Sequence, residues 1–151
     1  NCYIEGSTDF IFGEATVSFD SCELHSKTNS YITAASTPRN QKYGFVFKNC
    51  KLTADKSVNE VYLGRPWRNY AKTVFVNCNM GAHIKPEGWH NWNKKEAEST
   101  TFFAEYNCIG EGNKTKSRVG WSHQLKKNEA RKYIIENILK SNKENSKWYQ
   151  K

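Results

Sequence analysis

No stretch of this 151-residue chain approaches the roughly 18 consecutive apolar residues of a membrane-spanning helix, and no signal peptide opens it. Before residue 128, no run carries convincing helical periodicity. Close cysteine pairs of the CxxC kind are absent, which excludes zinc-ribbon and thioredoxin-like readings. The net charge is +8, from 23 Lys and Arg against 15 Asp and Glu, and this first suggests nucleic acid as a partner. Yet there is no run of five basic residues, and no helix-turn-helix, zinc-finger or RNA-recognition signature. An acidic polysaccharide fits the charge as well, and much of the excess lies after Lys114, where solvation alone explains it. No Gly-x-Ser-x-Gly elbow offers a serine nucleophile. His25, His83, His90 and His123 lack metal-ligand spacing and read as structural or surface residues. Only 37% of residues are hydrophobic, but 14% are aromatic, which argues against disorder.

What the chain does have is a period. Cys2, Cys22, Cys50, Cys78 and Cys108 recur at gaps of 20, 28, 28 and 30 residues, each following Asn or Ser. Phe19, Phe47 and Phe75 each precede a cysteine by three, and Ile4, Leu24, Leu52 and Met80 each follow one by two. The phrases before the cysteines (Val17-Ser-Phe-Asp, Gly44-Phe-Val-Phe, Thr73-Val-Phe-Val) are rich in aromatic and β-branched residues and end on a small polar turn residue. Units this short cannot bury a face alone, so they must stack. The expected fold is all-β: a right-handed parallel β-helix, whose narrow core tolerates the low apolar content. Equivalent cysteines should then form an inward column about one coil spacing, ~4.8 Å, apart. That is within disulfide range in distance, but the expectation is buried, reduced thiols behaving as small hydrophobes.

Residues 1–127 read as the solenoid and residues 128–151 as a C-terminal helix and polar tail. The chain begins inside a repeat, at Asn1-Cys2-Tyr3-Ile4, so missing upstream coils are expected. Polar insertions at 26–41, 55–60 and 83–98 should gather on one side and build a binding face. Ala130, Ile134 and Ile138, with Tyr133 nearby, predict a helix over 128–140 that covers the C-terminal end of the stack. The stretch 141–151 is expected to fray, with Trp148 and Tyr149 as docking candidates. Asn113-Lys114-Thr115 is a glycosylation sequon, weak by itself.

Two phrases are not explained by the repeat. Gly6-Ser-Thr-Asp9-Phe10-Ile-Phe-Gly13 encloses a carboxylate in apolar residues. Such a group either caps backbone amides in a turn or is held rigidly on a strand for chemistry. Leu63-Gly-Arg65-Pro-Trp67 supplies the fork that would keep such a carboxylate ionised and aimed. The plainer alternative is a surface arginine stacked on a tryptophan.

Together, Tyr3-Ile-Glu-Gly6 with Asp9-Phe-Ile-Phe-Gly13, Tyr31-Ile-Thr-Ala34, Leu63-Gly-Arg-Pro-Trp67 and Pro86-Glu-Gly-Trp89 resemble the pectin methylesterase family, in family order over about residues 1–125. The resemblance implies the same β-helix, a nucleophilic Asp9 held by Arg65, and Trp67 and Trp89 lining the substrate groove, with Phe10 beside them. It implies hydrolysis of galacturonate methyl esters in methyl-esterified homogalacturonan through an acyl-enzyme. It also implies no metal or organic cofactor, no nucleic-acid or membrane partner, and a secreted monomer, extracellular or periplasmic. The family's acid–base aspartate, in a Gln-Asp pair about 20 residues before the nucleophile, and a further upstream glutamine cannot lie in the eight residues before Asp9. The isolated chain is therefore expected to be inactive. Thr8 and Glu14 also depart from the family's usual residues. A pectate lyase or galacturonase on the same fold would want acidic clusters that are not visible. A non-catalytic polysaccharide-binding β-helix is the remaining alternative.

Overall fold

The structure, a computed structural model, describes residues 1–140. One coil runs through β1 (Tyr3–Gly6), β2 (Ile11–Gly13) and β3 (Val17–Asp20), and the next through β4 (Glu23–Ser26), β5 (Tyr31–Ala35) and β6 (Phe45–Lys48). A third follows through β7 (Lys51–Ala54), β8 (Tyr62–Pro66) and β9 (Lys72–Val76). The stack continues with β10 (Asn79–Met80), β11 (Phe102–Tyr106) and β12 (His123–Gln124). All these strands pair in parallel, in three sheets ordered β1-β4-β7-β10, β2-β5-β8 and β3-β6-β9-β11-β12. This is the parallel β-helix that the period predicts.

The repeated residues are register partners. Ile4, Leu24, Leu52 and Met80 align along the first sheet. Phe19, Phe47 and Phe75 align along the third, with ring centroids 4.7 and 4.5 Å apart and planes tilted by only 9° and 12°. Ser21, Asn49, Asn77 and Asn107 each turn the chain with a positive φ of 49–55°. Asn tolerates this conformation better than most L-residues, and Asn107 donates to Asn77 across the coils at 2.9 Å. Burying one phenyl ring contributes roughly 1.5–3 kcal/mol, enough to offset about 1–2 kcal/mol for a left-handed turn residue. Cys22, Cys50, Cys78 and Cys108 are buried free thiols, while Cys2 is exposed. Cys50 and Cys78 donate to the carbonyls of Lys48 and Val76, two residues back, at 3.2 and 3.5 Å.

The C-terminal segment differs from expectation. In place of one helix over 128–140 there are two single turns, α1 (Lys127–Ala130) and α2 (Ile135–Ile138). Ile134 between them is extended, with φ −101° and ψ 153°, as suits two adjacent β-branched residues that are stiff at χ1. Tyr133 packs edge-on against Tyr43 at 5.6 Å, and the Tyr43 hydroxyl donates to the Lys132 carbonyl at 3.2 Å. Ile138 is buried with Tyr43 and Val46, so the segment covers the side of the third sheet rather than the end of the stack. Ile134 is exposed. Trp148 and Tyr149 lie outside the described residues.

Candidate active site

Asp9 sits in the bend entering β2. Its φ is +51° and its N–H donates to the Tyr31 carbonyl of the next coil at 2.8 Å. Gly6 permits this bend, because a Cβ there would lie 2.3 Å from the Cβ of Phe10. The strand ladder of the second sheet then sets Phe12, Ala34 and Arg65 side by side. Gly64 is needed beside Arg65, since a Cβ would stand 2.0 Å from Thr33 Oγ1, which donates to the Leu63 carbonyl.

Arg65 reaches across two coils to Asp9. Its Nε–H donates to Oδ1 at 3.0 Å and its Nη2–H donates to Oδ2, a two-point grip on a carboxylate whose side chain is only 13% exposed. Paired charge-assisted bonds of this kind fix orientation as well as charge. Aromatic rings surround the guanidinium: its Cζ lies 3.9 Å from the centroid of Trp92, 4.9 Å from Tyr31 and 5.4 Å from Trp67. Nη1 is buried and bonds nothing among the described residues. The Arg65 charge favours ionisation of the Tyr31 phenol, but burial outweighs it and raises the Tyr31 pKa.

The surface around the pair is aromatic and basic. Phe12 is 56% exposed and meets Trp67 edge-on at 5.0 Å, and Trp67 stacks with Trp92 at 5.7 Å. Lys94 spans the two indoles and donates to the Trp67 carbonyl at 2.7 Å. Trp67, Arg68, Asn69, Trp92, Lys94 and Glu96 line an open depression beside the pair. Of the residues expected here from sequence, Asp9, Arg65 and Trp67 come together.

Trp89 and Phe10 do not join them. Trp89 is fully buried, stacked on Phe103 at 4.4 Å, with its Nε1–H donating to Glu105 at 3.2 Å. Glu105, a carboxylate inside the solenoid, accepts this bond in addition to the grip of Arg118, and it satisfies the buried indole N–H. Phe10 is half-buried and packs against the core, while its neighbour Phe12 takes the exposed place. Sequence reasoning missed Phe12 and Trp92. The alternation of side chains along a strand was the signal for the first. The second had only the Trp-rich loop 83–98 to mark it.

A profile of the pectinesterase family matches residues 1–142. The chain belongs to the pectinesterase family. It is 41% identical over 135 residues to Pectinesterase 31 of Arabidopsis thaliana, covering 89% of this chain and 43% of that relative. Putative pectinesterase 11 of the same plant is 40% identical over 142 residues, with 92% and 40% covered. Among solved structures, pectin methylesterase from carrot superposes with a TM-score of 0.85 at 31% identity, covering 91% of this chain and 48% of that one. A pectin methylesterase in complex with a hexasaccharide matches with a TM-score of 0.74 at 28% identity, over 93% of this chain and 49% of that one. This pectinesterase chain thus spans less than half the length of these relatives.

Within the pectinesterase chain, the Asp9 carboxylate is hydrogen-bonded by Arg65 and by no other side chain among the described residues. The histidines stay away from it. His25 binds Thr53 and Asp55, His83 is buried, His123 stacks on Phe102, and His90 meets the hydroxyl of Tyr31. The arrangement offers an oriented carboxylate beside an exposed aromatic face, and among the described residues no histidine or second carboxylate hydrogen-bonds to it.

Proposed function

We propose that this pectinesterase chain carries the nucleophile and its arginine clamp for hydrolysing the C6 methyl esters of galacturonate in pectin. Ionised Asp9 attacks the ester carbonyl, and collapse of the tetrahedral intermediate expels the methoxy group, which leaves as methanol after taking a proton from a general acid. The resulting anhydride joins Asp9 to the galacturonyl carbon. Water then attacks that carbon and gives up a proton to the same group acting as base, which restores the Asp9 carboxylate and leaves galacturonate. The acid–base group and the oxyanion donors belong to the upstream Gln-Asp pair and glutamine that the family resemblance implies. Trp67, Trp92 and Phe12 offer flat faces for sugar rings, and the basic surroundings suit a polymer that gains carboxylates as it reacts. A secreted monomer acting on cell-wall pectin fits the family, whose plant members are numerous among the relatives.

The two-point Arg65–Asp9 grip beside exposed aromatic rings carries this reading. A methanol-release assay on methyl-esterified pectin tests it. The protein should release methanol, and Asp9→Ala should abolish it, because no other described nucleophile sits in the groove. Residues 1–151 alone should be slower by about 10²–10⁴-fold, the usual contribution of general acid–base catalysis. Pectin binding without methanol release by the complete protein would instead identify a polysaccharide-binding β-helix.

A further inference from the structure

The loop that carries Trp92 over Arg65 is held in a conformation its residues disfavour. Trp92 and Asn93 both have positive φ, 52° and 58°, uncommon for any L-residue and more so for a bulky one. Two side chains sustain the bend, each accepting from the backbone two residues on. Asn91 Oδ1 accepts from Asn93 N–H at 2.9 Å, and His90 Nδ1 accepts from Trp92 N–H at 3.2 Å. His90 Nδ1 also lies 3.0 Å from the hydroxyl of Tyr31, a second wall of the Arg65 cage. A backbone N–H can only donate, so Nδ1 must carry a free lone pair and the ring is the neutral tautomer protonated on Nε2.

Resting on the esterase reading above, we infer that His90 is a positioning residue: its neutral Nδ1 latches Trp92 and Tyr31 around Arg65, and protonation of the ring opens the latch. A protonated Nδ1 becomes a donor facing the Trp92 N–H, which loses its acceptor, while the Tyr31 hydroxyl turns from donor to acceptor. The ring is packed between Tyr31 on β5 and Tyr62 on β8, at 5.8 and 5.1 Å, with Arg65 on β8 and Lys85 from the preceding loop as the nearby charges. Among the described residues, no carboxylate hydrogen-bonds to it. Burial, then the positive charges of Arg65 and Lys85, lower its pKa. The latch therefore stays closed through neutral pH and opens only below the ordinary histidine range.

The test compares the wild-type protein with His90→Asn, whose Oδ1 takes the place of Nδ1 but does not titrate, and with His90→Ala. The Arg65 Nε–H resonance, in ¹⁵N–¹H spectra recorded across pH, reports the latch directly because the guanidinium lies against the Trp92 ring. In the wild type its ring-current shielding should disappear on acidification. In His90→Asn it should persist at the same acid pH, and in His90→Ala it should be absent at every pH. Methanol release should show kcat/KM lowered roughly tenfold in His90→Ala, mainly in kcat through misaiming of the clamp, and near wild type in His90→Asn. Unchanged shielding in His90→Ala, or its loss at one pH in both wild type and His90→Asn, would overturn the latch. The expected spectra from a protein that releases no methanol would uphold the latch and sink the esterase reading alone.

Discussion

Glu105 accepts a two-point ion pair from Arg118, Nε to Oε1 at 2.8 Å and Nη2 to Oε2 at 3.0 Å, at the ladder position next to Phe75 where a fourth ring would otherwise stack. Both side chains are at most 2% exposed. Arg118 also donates to the carbonyls of Lys85, Pro86 and Gly112, at 2.9 to 3.2 Å, and so ties down the loop that leads to Trp89 and Trp92. Taking a charge pair out of water is costly, and removing one member leaves the other stranded. Arg118→Met should therefore lower unfolding stability by about 3–5 kcal/mol. Adding Glu105→Leu to it should recover much of that loss, though the orphaned carbonyls remain. Urea unfolding midpoints measure both, and a single variant as stable as the wild type would contradict the pairing.

The cysteine column makes its own prediction. Cys22, Cys50, Cys78 and Cys108 are at most 7% exposed, whereas Cys2 is open to solvent. Iodoacetamide applied to the native protein should label Cys2 and spare the other four, and all five should react after denaturation. Peptide mass spectrometry reads this residue by residue. Rapid native labelling of Cys50 or Cys78 would show that the interior column does not hold.

How much of this was legible in the sequence depends on whether a contact repeats. Phe19, Phe47 and Phe75 could be read as a stack because each coil restates the same neighbours. The Asp9–Arg65 grip was legible as two odd phrases two coils apart, since their residue types suit only a few partners. The end of the ladder was not. Glu105 replaces a phenyl there, and Trp89 lies in the core, stacked on Phe103 and donating to that buried carboxylate. No local pattern announces that. The helix over 128–140 failed for a similar reason: its apolar spacing is real, but Tyr43 on a distant coil holds the chain at Lys132 and Tyr133, and α1 and α2 form either side. Phe12 and Phe10 exchanged places because the bend at Asp9 decides which of them faces outward.

Arg65 should not be replaceable by lysine. The guanidinium makes two parallel bonds to Asp9 while stacked among three rings, and an ammonium offers neither the fork nor the flat face. Arg65→Lys should lower the proposed methanol release on the order of 10²-fold, and Arg65→Ala by 10²–10⁴-fold, the scale of losing electrostatic stabilisers in a catalytic site. Steady-state rates together with far-UV circular dichroism separate this from unfolding. A lysine variant within about twofold of wild type would mean that the clamp does not aim the nucleophile.

His83 predicts a loss of stability in acid. Its ring is buried, and burial, followed by repulsion from His25, lowers its pKa from 6.5 to about 4. Its Nε2 has no hydrogen-bond partner among the described residues. Between pH 4 and 6.5 the unfolded chain therefore binds a proton here that the folded chain refuses, so stability rises with pH across that window. The contribution is complete above 6.5 and is lost as pH falls towards 4, reaching roughly 3 kcal/mol. His90, whose pKa is lowered as well, acts in the same direction. Other groups titrate over the same range, so the decisive quantity is a difference. Unfolding free energies of wild type and His83→Leu at pH 4 and pH 7 should show a shallower acid slope in the variant. Equal slopes would mean that His83 accepts its proton in the folded state as readily as in the unfolded one.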